Sequence, residues 1–123
     1  KNIQSMLKKK WGRILNCSTI GVKYGGGEYS YNYNLSKHCL EFIPNRYKKW
    51  ANSNILINNI RIGHAVTKIH KRMKKKIRGI KRIKLIPMGR MIKTNEITEY
   101  LYFLSSDLNS YMTGETIAVA GGE

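Results

Sequence analysis

The chain has 123 residues, enough for one domain, with 23 basic and 7 acidic residues and a formal charge of +16. Its hydrophobic fraction of 41% is that of a folded domain rather than a disordered tail, and no apolar run approaches the roughly 20 residues a membrane helix needs. Two cysteines, Cys17 and Cys39, make no disulfide framework, no Cys-x-x-Cys or His-x-x-x-His spacing suggests zinc, and both thiols are expected as small buried residues in a reducing cytosol.

Residues 1–10 read as the end of a helix with Ile3, Met6 and Leu7 on one face, stopped by Gly12. Arg13–Cys17 suits a short buried strand. Residues 19–29, with Gly21, Gly25, Gly26 and Gly27, read as a loop. A helical pattern runs from about Tyr31 to Ala51 and places Cys39, Leu40, Ile43, Tyr47 and Trp50 on one face. Pro44 should kink that helix or end its first part. Asn54–Ile60 reads as a second buried strand, followed by a loop around Gly63. Ile69, Met73, Ile77 and Ile80 form a narrow stripe that predicts a short amphipathic helix, and Pro87-Met88-Gly89 breaks the chain. Thr94 is placed to cap a third helix, with Glu96 and Glu99 near its positive end and Ile97, Tyr100, Leu101 and Leu104 on its buried face. Residues 111–114 turn into a last strand, Thr116–Ala120, closed by Gly121-Gly122. The alternation of strands and helices predicts an α/β fold with a parallel sheet and right-handed crossovers.

Ten of the 23 basic residues lie between Lys68 and Lys84, where no acidic residue occurs. The segment 68–90 is read as the solvated, basic face of a substrate lid, one that could attract an anionic substrate. Two other readings are nonspecific binding of nucleic-acid phosphates, which lacks a recognised motif, and a membrane-surface helix, whose stripe would lack Trp and Phe. A wealth of Lys, Asn, Ile and Tyr, which AT-rich codons favour, accounts for part of the charge.

The chemical signal is Tyr33 and Lys37, four apart at a helix start and so on one helical face. A free tyrosine, with a pKa near ~10, is a poor acid–base group at neutral pH. A nearby ammonium favours the phenolate, and the pair could then move a proton while a hydride moves the other way. The same lysine can hydrogen-bond a ribose hydroxyl. Upstream lies Gly12-Arg13-Ile14-Leu15-Asn16-Cys17-Ser18-Thr19, whose hydroxyls could polarise a carbonyl. Downstream come residues 55–67, Ile86-Pro87-Met88-Gly89-Arg90, Phe103-Leu104-Ser105-Ser106-Asp107, Tyr111-Met112-Thr113-Gly114-Glu115 and Gly121-Gly122.

In this order these segments resemble the short-chain dehydrogenase/reductase family over essentially the whole chain. The resemblance implies a Rossmann-like fold and hydride transfer between NAD or NADP and a small carbonyl or alcohol substrate. It implies a cytoplasmic homodimer or homotetramer built on the long helix and the last strand, with Tyr47 and Trp50 as interface candidates. Tyr33 takes the role of general acid/base, and Lys37 lowers its pKa and binds the nicotinamide ribose. The hydroxyl partner falls at Thr19, with adjacent Ser18 as rival. Gly63–Thr67 would cover the nicotinamide, with Ala65 and Thr67 near its carboxamide. Thr19 stands for the family's usual Ser, and Ile62 for the usual Pro before Gly63, which should loosen that loop. The family's glycine-rich phosphate turn, first strands and catalytic Asn have no counterpart in residues 1–123. The chain is therefore expected to be a single partial domain, the carboxy-terminal catalytic half, with its strands the last adjacent three of the sheet and with no activity alone. The alternatives are an inactive or structural fragment of that family and a basic nucleic-acid-binding module.

Overall fold

The computed structural model describes residues 2–67 and 82–123, and the strands and helices alternate in it along the chain. The elements are α1 (Asn2–Lys9), β1 (Gly12–Thr19), α2 (Tyr31–Leu40), α3 (Tyr47–Ala51), β2 (Ile55–Ile62), α4 (Thr94–Ser105) and β3 (Thr116–Val119). The strands form one parallel sheet in the order β1-β2-β3, as the alternation predicts. Thr19 pairs with Ile62 and Ile62 with Val119, so the carboxyl ends of all three strands lie in one row.

The central strand explains the layering. Six consecutive residues of β2, Ile55 to Ile60, are buried, as a strand covered on both faces must be. On one face Ile60, Leu104 and Val119 form the core, flanked by Leu15, Ile62, Ile92, Leu101 and Ile117. That face belongs to α4. The other carries Asn16, Ser18, Asn59 and Arg61 beneath the end of α2. Asn16 donates to Asn59 Oδ1 at 3.0 Å, and Asn59 donates to the Glu41 carbonyl at 2.8 Å.

Several expectations need correction. Gly12 does not stop α1. Lys10 does so in a left-handed conformation (φ 50°), with Lys10 N–H bonded to Leu7 O and Trp11 N–H to Met6 O, the Schellman pattern. Gly12 opens β1, and a Cβ there would meet Met6 Sδ at 2.6 Å. The loop expected from residue 19 holds a 3-10 helix, Ile20–Tyr24, because buried Ile20 anchors it. The helical pattern over 31–51 breaks after Leu40, four residues before Pro44, and resumes as α3. With the axis broken there, Cys39 and Leu40 no longer share a buried face with Tyr47 and Trp50. Leu40 is exposed, and both cysteines are exposed rather than buried. Tyr47 packs within the chain against Gly114, where a Cβ would lie 2.7 Å from its ring. Thr94 is the first residue of α4 rather than its cap. The preceding Lys93 amide donates to the Glu96 carboxylate at 2.8 Å. Tyr100, expected on the buried face of α4, is exposed. The amphipathic stripe Ile69, Met73, Ile77 and Ile80, and most of the lid expected over 68–90, lie outside the described residues. Among the described residues no helix is long and apolar enough to cross a membrane.

Candidate active site

The carboxyl ends of the strands are where open α/β sheets bind ligands, and three chain segments meet there. The first is the end of β1. Strand alternation sends Ser18 and Thr19 to opposite faces. Ser18 is buried, and its hydroxyl donates to the Lys37 carbonyl at 3.4 Å. Thr19 is half-buried, and its Oγ1 accepts the Gly21 amide at 3.3 Å. A hydroxyl that accepts from a backbone amide keeps its own hydrogen for another acceptor. Thr19 can therefore still donate outward, whereas the Ser18 hydroxyl is occupied beneath the helix.

The second segment is the first turn of α2. Tyr33 is half-exposed, with its backbone carbonyl held by the Ser36 hydroxyl at 2.7 Å. Lys37 lies one turn on. Its Nζ donates to the Cys17 carbonyl at 3.0 Å and sits 5.9 Å from the centroid of the Tyr33 ring. That carbonyl lies near the carboxyl end of β1, so the strand end holds the ammonium next to the phenol. An ammonium has three donors, and two remain for other acceptors. Tyr33, Lys37 and the end of β1 are thus brought together.

The third segment follows β2. Gly63 donates to Val119 O at 3.0 Å, and a Cβ on it would meet the Ala120 Cα at 2.7 Å. Only glycine allows that approach. Ala65 is buried and bridges to Ile92, with Ile92 N–H bonded to His64 O and Val66 N–H to Ile92 O, each 3.0 Å. These bonds tether the loop that Ile62 was expected to loosen. Thr67 is exposed, at the edge of the described residues. A cavity of about 260 Å³ opens beside Gly63, between Ile86, Arg90, Tyr100 and Val119.

An ion pair that the sequence reading missed braces the site. Arg61 grips the Glu41 carboxylate with two bonds, 2.8 and 2.6 Å. The Arg61 hydrogen bond is the main reason that the Glu41 carboxyl is held below its ordinary value, and the Ser18 hydroxyl adds to it against the effect of burial. Its signal was a charged residue inside an otherwise buried strand, since such a charge needs a partner.

The donor set suits the nicotinamide–ribose end of a dinucleotide. It comprises an ammonium with spare donors, a phenol, a free hydroxyl donor and a glycine that lets backbone approach closely. Among the described residues no group of side chains could hold a metal ion.

The family model described as "Enoyl-(Acyl carrier protein) reductase" matches residues 1–123. A 3-oxoacyl-(acyl-carrier-protein) reductase of Aquifex aeolicus is 34% identical over 122 residues, which is 98% of this chain and 48% of that protein. An acetoacetyl-CoA reductase of Acinetobacter sp. is 34% identical over 120 residues, 95% of this chain and 47% of that protein. Among solved structures, a 3-oxoacyl (acyl-carrier-protein) reductase from Agrobacterium tumefaciens with NADP bound superposes with a TM-score of 0.77 at 26% identity, covering 98% of this chain and 48% of that one. The chain thus spans about half the length of these relatives.

Proposed function

This chain belongs to the short-chain dehydrogenase/reductase family, and from that premise we propose that it forms the catalytic end of an NAD- or NADP-dependent oxidoreductase. One observation carries the reading. Lys37 Nζ is anchored on the Cys17 carbonyl at 3.0 Å and stands 5.9 Å from the Tyr33 ring, at the carboxyl end of the sheet.

In the reducing direction Tyr33 gives its hydroxyl proton to the substrate carbonyl oxygen, so that C=O becomes CH–OH. A nicotinamide cofactor, when bound, would supply the hydride to the carbon. The Lys37 ammonium stabilises the negative charge that grows on the phenol oxygen as the proton leaves, and its spare donors bind the ribose hydroxyls. Thr19 donates to the same carbonyl oxygen, and Ser18 holds α2 to β1. Gly63, Ala65 and Thr67 would flank the nicotinamide. Because the two relatives are named as reductases of a 3-oxoacyl carrier-protein thioester and of acetoacetyl-CoA, a 3-oxoacyl thioester is the substrate class proposed. Tyr31, Leu35 and Phe42, exposed on α2 and just past it, suit burial in a homodimer or homotetramer, which sedimentation of the complete protein would show.

The test is a spectrophotometric assay of the complete protein with NADPH or NADH and acetoacetyl-CoA. Cofactor oxidation that depends on the thioester is expected. Its absence with both cofactors and with a panel of ketones would favour a structural role.

A further inference from the structure

Asn34 follows Tyr33 on α2 and is buried, at 6% exposure. Its Nδ2 donates to Ser30 O at 2.8 Å and to Ser30 Oγ at 3.1 Å. That donation to a carbonyl sets the orientation of the amide, since a flip would face two oxygens at each other. Its Oδ1 is the one buried side-chain polar atom among the described residues with no hydrogen-bond partner. A buried acceptor without a donor destabilises a fold, and an apolar side chain would avoid it. A residue kept under such strain calls for an explanation in function.

The surroundings supply one. A Cβ built on Gly21 would overlap Asn34 Oδ1, and one built on Gly26 would overlap Nδ2. Gly26 N–H also closes onto Gly21 O at 3.0 Å, so the turn wraps the amide. Gly21 in turn gives its own N–H to Thr19 Oγ1 at 3.3 Å. The contacts run without a break from the residue beside the phenol to the hydroxyl at the strand end.

We propose that Asn34 is a positioning residue that sets the Thr19 hydroxyl against the Tyr33 hydroxyl through Gly21. The inference rests on the catalytic reading above. Asn34 touches neither substrate nor cofactor. It holds the Gly21 amide where that amide directs the Thr19 hydrogen outward, and glycine at 21 and 26 is the shape it requires.

The experiment uses the complete protein with NADPH and acetoacetyl-CoA. Asn34→Ala should lower kcat about 10–100-fold, the effect of a small misplacement, with the KM for NADPH changed less than about twofold, because cofactor binding is untouched. Combined with Thr19→Val, it should add nothing to the loss that Thr19→Val causes alone. Independently of activity, Gly21→Ala should lower Tm by several degrees, and by much less once Asn34→Ala has removed the amide. Should Asn34→Ala fail to fold, Asn34→Ser keeps a donor for Ser30 O and must show the same loss in kcat. An unchanged kcat, losses that multiply with Thr19→Val, or a Gly21→Ala penalty indifferent to residue 34 would each overturn the proposal. Tyr33→Phe is the control. If it leaves turnover intact, the catalytic reading has failed. If it abolishes turnover while Asn34→Ala does not lower it, this inference alone has failed.

Discussion

The rival hydroxyls Ser18 and Thr19 are separated by one peptide bond and by opposite faces of β1. Ser18 is buried and committed to the Lys37 carbonyl, whereas Thr19 accepts from Gly21 and keeps its hydrogen. In the complete protein Thr19→Val should cut kcat by about 10²-fold, the usual worth of one donor to a developing oxyanion, and lower Tm only by the loss of the cap to Gly21. Ser18→Ala should do the reverse, lowering Tm with a kcat close to wild type. The opposite pattern in steady-state kinetics and thermal melts would exchange their roles. Tyr33 and Lys37 were legible because helical periodicity alone puts residues four apart on one face. Asn34 was not, because its meaning lies in Gly21 and Gly26, and no local pattern shows that two glycines fold around one amide.

At the scale of elements, the joint between α2 and β2 depends on Glu41 and Arg61. The Glu41 side chain is 8% exposed and the Arg61 side chain 26%, so removing one partner strands a charge. Arg61→Met should cost about 2 kcal/mol, the worth of hydrogen bonds to a charged group in a partly buried pair, measured by denaturant unfolding. The Arg61 hydrogen bond leads the causes that hold the Glu41 carboxyl low. A carboxyl lowered on folding adds stability above its unfolded pKa, and that stability is lost as pH falls through the lowered value. Glu96, drawn from 4.5 to about 2 first by Arg90 and then by the Lys93 amide, acts the same way on the surface. Stability should therefore fall from about pH 4.5 downward, and less steeply in Arg61→Met. An acid unfolding curve of identical slope in the variant would contradict the assignment. The three strands were legible from apolar runs between glycines. The break after Leu40 was not, because the chain leaves the helix four residues before the proline, at the point where Glu41 turns to meet Arg61. The exposure of Cys17 and Cys39 escaped for a related reason, since residue type sets a preference for burial and only the packed elements decide it.

At the scale of the molecule, the chain spans about half the length of its relatives. Among the described residues β1 pairs only with β2, which leaves one sheet edge open. The site proposed above would reach only the nicotinamide and its ribose. A pyrophosphate needs directed backbone donors such as a helix amino terminus after a first strand–helix turn, and solvated lysines do not fix its geometry. Calorimetric titration of residues 1–123 alone with NADH and NADPH should thus give no saturable binding at micromolar concentration. Saturable binding there would mean that these residues hold the whole cofactor. The family was legible from the order of many weak motifs, while the substrate was not, because a run of like charge from Lys68 to Lys84 fits many anionic partners equally. The central claim, that Tyr33 transfers the proton, is tested most directly by the turnover of Tyr33→Phe in the complete protein, with its Tm and NADPH affinity matched to wild type. A fall of about 10²–10⁴-fold, the contribution of a general acid, is the expected result, and turnover equal to wild type would contradict it.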